Sequence, residues 1–163
     1  MTAASGPLRI RVARAADTAQ ILAFIRDLAE YERLAHEVQA GETDLRAHLF
    51  GPRPAAEVLI AEWQERPVGF ALFFTTFSTF LGKPGFWLED LFVKPEHRSR
   101  GVGRALLAEL ARLAVARGHG RVEWAVLDWN EPAKNFYQVL GAHMLDDWRT
   151  WRLTGEALRS LGG

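Results

Sequence analysis

Between Val93 and Leu107 the chain reads VKPEHRSRGVGRALL, placing Arg98, Arg100 and Arg104 around Gly101 and Gly103. A hydrophobic run ends there and a helical pattern begins. Glycines have no Cβ, so their backbone N–H groups can approach a ligand closely. A helix opening near Val102 adds unpaired N–H groups and the positive end of its dipole. With the arginines, these features predict a local site for an anion such as a pyrophosphate. The plainer reading is a helix N-terminus whose glycines only shape a turn. Two other phosphate motifs fail on detail. A P-loop needs a lysine after its glycines, and a dinucleotide fingerprint needs glycine or alanine where Leu106 stands.

Three more residues could move protons. Glu89 and Asp90 are adjacent carboxylates on a predicted strand, and Tyr137 is one of two tyrosines, with Tyr31. Successive strand residues face opposite sides, so only one of the carboxylates faces a given site unless a β-bulge intervenes. The competing reading is a pair of edge carboxylates neutralised by arginines. Tyr137, beside Phe136, also reads as core packing.

The elements that must hold these residues are legible from periodicity. Leu8, Ile10 and Val12 alternate with arginines as in a half-buried strand. Asp17 to Gln20 resembles a capping box ahead of a helix running to about Leu34. A short helix follows from Thr43 to Phe50, with Thr43 as its cap. Val58–Trp63, Val68–Phe77 and Phe86–Val93 read as strands, turned at Arg66-Pro67 and at Gly82–Gly85. Val102, Leu106, Leu110, Leu113 and Ala114 share a helix face that stops near Gly118 or Gly120. Arg121–Leu127 reads as a strand. Pro132 suits the first turn of a helix ending at Leu140-Gly141, and Trp148–Leu153 reads as a last strand. Hairpins followed by helical crossovers predict an α/β three-layer sandwich with a mixed, mostly antiparallel sheet. A chain of 163 residues is expected to form a single domain over 1–163.

Composition narrows the function. Twenty basic residues balance twenty acidic ones, which gives no global pull toward nucleic acid or membrane. The six tryptophans and ten phenylalanines read as core rather than as a base-stacking surface. There is no cysteine, which removes disulfides, thiolate catalysis and cysteine-ligated zinc. His36-Glu37 starts like HExxH, but Ala40 occupies the second histidine's place. No metal is expected. The opening MTAASGPLRI lacks a leader's apolar core, and the most apolar run, Val68–Phe77, is too short for a membrane helix. A soluble cytoplasmic protein is the expectation.

LEDLFV followed by Arg98-x-x-Gly101-x-Gly103 resembles the acetyl-CoA loop of the GNAT superfamily of N-acetyltransferases. Many members carry glycine directly after that arginine, where this chain has Ser99, which keeps its backbone N–H. A second block, AVLDWNEPAKNFYQVLGA, matches at Asn130, Ala133, Tyr137, Leu140, Gly141 and Ala142. RDLAEYERL, VLDWNEPAKNFY and WRLTGEALRSL resemble one branch, the diamine (spermidine/spermine) and thialysine acetyltransferases. The likeness spans about Leu8 to Leu161.

The resemblance implies the GNAT-like acyl-CoA N-acyltransferase fold, acetyl-CoA as co-substrate and a homodimer. It places the pantetheine arm along the backbone of Leu91, Phe92 and Val93. The diphosphate falls on Arg98, Ser99, Arg100 and Gly101, with Val102, Gly103 and Arg104 opening the helix. Asn130, Ala133 and Tyr137 complete the cofactor set. Tyr137 takes the general-acid role, since a phenol suits a thiolate of similar basicity. Glu89 attracts the ammonium and relays its proton. Tyr31, Glu32, Asp90 and Trp151 are the further amine contacts. Ser78 and Arg149 stand where a polyamine enzyme carries acidic residues. At roughly 5–6 Å and an effective dielectric of about 20, Arg149 would repel each further ammonium by about 3 kcal/mol. That favours a lysine analogue or a short diamine over spermine. Without cysteine, transfer is expected to be direct, in a ternary complex. The alternatives are acetylation of a protein lysine or N-terminus, and a non-catalytic acetyl-CoA-binding regulatory domain.

Overall fold

The computed structural model describes residues 7–163. The opening MTAASG, where a leader's apolar core was sought, lies outside them. The chain divides into two compact units, one through Ala125 and one from Val126 to Gly163.

The first unit contains β1 (Leu8–Val12), α1 (Thr18–Tyr31), α2 (Glu42–Phe50), β2 (Glu57–Trp63), β3 (Arg66–Ser78), β4 (Lys83–Val93), α3 (Val102–Ala116) and β5 (Val122–Glu123). The strands lie in chain order, antiparallel through β4, with β5 parallel to β4. This is the expected mixed α/β sheet, and period-2 alternation explains its layers. Val58, Ile60, Phe70, Leu72 and Phe92 pack against Ile21, Phe24 and Leu28 of α1 and Leu45 and Leu49 of α2. Leu59, Ala61, Val68, Ala71, Phe73, Phe86 and Leu88 face Val102, Leu106, Leu110 and Ala114 of α3. The Phe24 and Phe70 rings stack at 5.4 Å.

One irregularity organises β4. Leu72 pairs with Asp90 and Phe73 with Leu88, which leaves Glu89 as an extra residue in a β-bulge. Before the bulge, Phe86 and Leu88 face α3, and after it Phe92 faces α1. A regular strand would put residues 86, 88, 90 and 92 on one face. Pairing with β5 stops just ahead of the bulge, at Phe86↔Val122 and Trp87↔Glu123. The strand expected over Arg121–Leu127 therefore shrinks to two residues, because β4 bends away from it.

Other expectations shift at element ends. Asp17 occupies the N-cap position of α1, as expected, but its carboxylate makes no capping hydrogen bond to that helix. Its carboxylate accepts the Arg14 N–H at 2.7 Å and the Arg11 guanidinium at 2.8 and 2.9 Å, and the arginine holds its pKa down. Val12 is exposed. The N-cap of α2 is Gly41 rather than Thr43, and the Asp44 carboxylate accepts the Gly41 N–H at 2.8 Å. Helix α1 stops at Tyr31, short of Leu34. Arg33 adopts φ +61°, and the Leu34 N–H turns back to Ala29 O while the Arg33 N–H reaches Glu30 O. That is a Schellman closure with arginine in the left-handed position. The β3–β4 turn uses Gly82 at φ +62°, while Lys83–Gly85 already belong to β4.

In the second unit, α4 (Glu131–Val139) starts with Pro132 in its first turn, as expected, and ends at Leu140 with Gly141 at φ +89°. The strand expected over Trp148–Leu153 does not form. That stretch is exposed coil without a ladder partner, leading into α5 (Gly155–Gly162).

The β2–β3 turn falls at Gln64-Glu65 rather than Arg66-Pro67, since Trp63 pairs with Arg66. Both turn residues take positive φ, +48° and +63°, the geometry that favours Asn-Gly. Gln64→Asn with Glu65→Gly is expected to add about 1 kcal/mol and raise Tm by roughly 2–4 °C. Calorimetry of the double variant checks this, and a lower Tm would contradict it.

Candidate active site

The bulge brings the two adjacent carboxylates to one face. Asp90 pairs with Leu72, which lies in the α1-side core, and directly paired residues share a face. Glu89 sits on the same side as Trp87, whose Nε1–H donates to Glu89 Oε2 at 2.8 Å. Glu32, the residue closing α1, contributes to the same electrostatic environment. Burial pushes Asp90 up to about 7, and the charges of Glu89 and Glu32 push it in the same direction. No hydrogen bond opposes that rise. Burial also raises the Glu32 carboxyl. Together the three carboxylates form an acidic cluster with a half-neutralised member near physiological pH, suited to receiving a cation and accepting its proton.

Beyond the bulge, the outer edge of β4 carries backbone groups that β3 does not use, of which Val93 O accepts the Arg98 Nε–H at 2.9 Å. The Lys94 N–H bonds Val68 O at 2.8 Å, and Gly69 lies opposite Val93. In an antiparallel ladder, bonded and non-bonded pairs alternate. Leu91 and Val93 therefore turn their N–H and C=O groups away from β3, while those of Phe92 face β3. The Phe92 side chain is buried in the α1-side core. Of the three residues proposed for backbone contact, Leu91 and Val93 have the right orientation and Phe92 supplies a wall.

That edge runs into the glycine-arginine loop. Ser99 takes φ +61° and Gly101 φ +79° as the N-cap of α3. These two left-handed residues curl the chain into the helix, so that its first N–H groups open toward the loop. The φ of Ser99 also accounts for the glycine common at that place, since a Cβ there carries strain. Val102 is buried as the first residue of α3, and Gly103 and Arg104 follow in the same turn. The Arg100 guanidinium lies 5.4 Å from the Trp63 ring centroid. Arg98 donates from Nε to Val93 O at 2.9 Å and lies 4.9 Å from the Tyr31 ring. An open cleft of about 460 Å³ beside them is lined by Tyr31, Phe92, Lys94 and Arg98, with Asp27 and Glu30 from α1.

The remaining candidates have local partners of their own. Ser78 is buried and its Oγ accepts the Leu81 N–H at 3.2 Å, so it serves the β3–β4 turn. In the second unit, buried Asn130 caps α4, its Oδ1 accepting the Ala133 N–H at 3.3 Å. Tyr137 is half-buried, with its ring 5.2 Å from that of Phe136. Arg149 binds the carbonyls of Asp146 and Trp148 at 2.5 and 2.9 Å, and Trp151 is 93% exposed. Sequence reasoning missed Trp87, although its i, i+2 relation to Glu89 placed the two on one strand face.

An acidic cluster at a bulge, a free strand edge and a glycine-shaped helix mouth follow one another along β4. The profile of the acetyltransferase (GNAT) family matches residues 22–142. The chain belongs to this family. The mouse thialysine N-epsilon-acetyltransferase is 39% identical over 166 residues, spanning 95% of this chain and 97% of its own. The Arabidopsis thaliana L-ornithine N5-acetyltransferase is 34% identical over 198 residues, spanning 94% and 87%. An integron cassette protein from the mobile metagenome of V. cholerae superimposes with a TM-score of 0.81 over 97% of this chain and 99% of its own, at 23% identity, and shares the fold. GNAT acetyltransferases use acetyl-CoA as co-substrate, and this chain is an acetyltransferase.

The raised Asp90 carboxyl makes stability depend on pH. The folded state binds the proton more tightly than the unfolded chain, so Asp90 favours folding below its ordinary 3.8 and loses that contribution as pH rises to about 7. Asp90→Asn should therefore flatten the fall in Tm between about pH 4 and 7 and give a higher Tm at pH 8. A variant less stable than wild type at pH 8 would contradict the assignment.

Proposed function

We propose that the enzyme transfers the acetyl group of acetyl-CoA directly to a small primary amine, of the thialysine or lysine type or a short diamine. The bulge-assembled carboxylates at the head of a free strand edge carry this reading. That edge ends in an anion-accepting helix mouth, which suits a diphosphate-bearing arm aimed at the cluster. The relatives named for thialysine and ornithine support an amine-bearing amino acid, as does the commitment of Ser78 to its turn.

In this reading the acidic cluster draws in the ammonium. Glu89, held by the Trp87 indole, serves as the fixed negative charge. Asp90 accepts the proton, because its pKa of about 7 lies near working pH. The relay given to Glu89 from sequence passes to its neighbour. The ammonium first gives one proton to bulk solvent, leaving a neutral nitrogen with a lone pair. As that nitrogen bonds to the thioester carbon, its remaining protons become strongly acidic, and a carboxyl of this pKa suffices to take one of them. The carbon–sulfur bond breaks, CoA leaves as thiolate, and Tyr137 supplies its proton. The N–H groups of Leu91 and Val93 offer donors for the arm and for the carbonyl oxygen during transfer. Ser99, Gly101 and the first turn of α3 hold the diphosphate, with Arg100 and Arg104 adding charge. Asn130 and Ala133 set the start of the helix that carries Tyr137. Trp151 remains a candidate amine contact.

The family match runs across both compact units, which supports one acetyltransferase domain. The branch resemblance supports a homodimer, and the cysteine-free chain supports a cytoplasmic location. Among the described residues no helix is long and apolar enough to cross a membrane.

CoA release measured with thialysine, putrescine, spermidine, spermine and a lysine-bearing peptide tests the substrate class. Thialysine should turn over with a higher kcat/KM than spermine. A preference for spermine would reverse the substrate assignment, and a preference for the peptide would move the enzyme to the protein-modifying class. Tyr137→Phe should lower kcat by about 10²-fold or more, with acetyl-CoA affinity within roughly threefold. Lost affinity with preserved kcat would remove the tyrosine from acid catalysis.

A further inference from the structure

The loop arginines were expected to serve an anion. Arg98, however, turns its side chain back toward α1. Its Nε–H holds Val93 O at 2.9 Å, and its guanidinium carbon lies 4.9 Å from the Tyr31 ring centroid and 5.7 Å from that of Phe92. Tyr31 is the last residue of α1, and Glu32 follows it at the helix close. Glu32 is in turn one of the two charges acting on Asp90. The Arg98–Tyr31 contact, the chain bond from Tyr31 to Glu32 and the charge of Glu32 acting on Asp90 therefore link the loop to the carboxylate cluster.

We propose that Arg98 is a positioning residue that couples the cofactor loop to the amine-facing end of α1 by stacking on Tyr31. The inference deepens the acetyltransferase reading and rests on it. The geometry suits such a strut. Arg98 directly precedes Ser99, at φ +61°, and stands three positions before Gly101, at φ +79°. Its Cα therefore moves with the curled backbone that would hold a diphosphate. Its planar head can stack on an aromatic face while an in-plane N–H holds a carbonyl, a geometry that a compact lysine ammonium does not reproduce. The C-terminal end of α1 is the negative end of that helix and favours a cation against it. Both residues line the same open cleft of about 460 Å³, so the contact lies at a surface open to solvent. When a diphosphate fixes the loop, Arg98 fixes Tyr31 and with it Glu32. An amine that orders Glu32 and Tyr31 fixes the loop by the same contact. Such coupling between two ligands must be reciprocal in their affinities.

The test is calorimetric titration with CoA, which cannot react, in the absence and presence of saturating thialysine. In the wild-type protein thialysine should tighten CoA binding at least about fivefold, the lower end of ordinary coupling. Arg98→Lys and Tyr31→Leu should each reduce that factor below about twofold, and the double variant should do no worse than either. Tyr31→Phe keeps the ring and should keep the coupling. The proposal is overturned by full coupling in Arg98→Lys, by loss of coupling in Tyr31→Phe, or by wild-type protein that binds CoA without responding to thialysine. It is also overturned if Arg98→Lys weakens CoA equally with and without the amine, since the arginine would then be a direct anion ligand. Wild-type protein that ignores CoA altogether would instead remove the acetyltransferase reading on which the proposal stands.

Discussion

The single extra residue at Glu89 is the constraint on which the site depends. One residue inserted against β3 moves the side-chain phase of β4 by one position. It thereby sends Asp90 to the α1 side with Glu89 and leaves Phe92 to complete the core there. Pairing with β5 ends after two register pairs, ahead of the bulge, and the backbone N–H groups of Leu91 and Val93 point away from β3. A bulge leaves its extra residue unpaired and disrupts the ladder locally. Here the disruption brings Glu89 and Asp90 to one face of the sheet.

The ends of two helices complement these features with opposite polarity. Helix α3 opens with Gly101 in the left-handed region, presenting unpaired N–H groups and a positive end beside the C-terminal end of β4. Helix α1 closes through Arg33 in a left-handed turn, presenting its negative end with Tyr31 and Glu32. Anionic and cationic partners are thus favoured at different places before any side-chain charge is counted. The arginines follow this division. Arg98 and Arg100 rest on the aromatic faces of Tyr31 and Trp63, so the main chain is left to meet an anion and the guanidinium groups hold the loop in shape.

Burial decides how the acidic residues differ. Glu89 is exposed and accepts an indole N–H, whereas Asp90 is enclosed, lacks such a donor and faces two like charges. Adjacent carboxylates of nearly equal intrinsic acidity therefore acquire separate duties. This is the same physical logic that makes Asp90 a cost to stability at neutral pH.

Local rules made much of the molecule legible in one dimension. Alternating apolar residues marked β1, apolar runs bounded by turns marked β2, β3 and β4, the 3.6-residue period marked α1 and α3, and Pro132 marked the start of α4, because each depends on neighbours within one element. The glycine-arginine loop and the Asn130–Ala142 block were readable for the same reason, since a turn or a cap needs particular residue types at particular positions. Whether Glu89 and Asp90 share a face was not readable, because the bulge is a relation between β4 and β3. Nor were the closure of α1 at Arg33, the two-residue length of β5 or the turning of Arg98 onto Tyr31, each of which depends on a partner distant in sequence. Residue types and spacing alone determined the fold class and the family resemblance. Only the tertiary structure decided which carboxylate is the less exposed and which arginine rests on Tyr31, because register, desolvation and ring contacts exist only once separate segments have met.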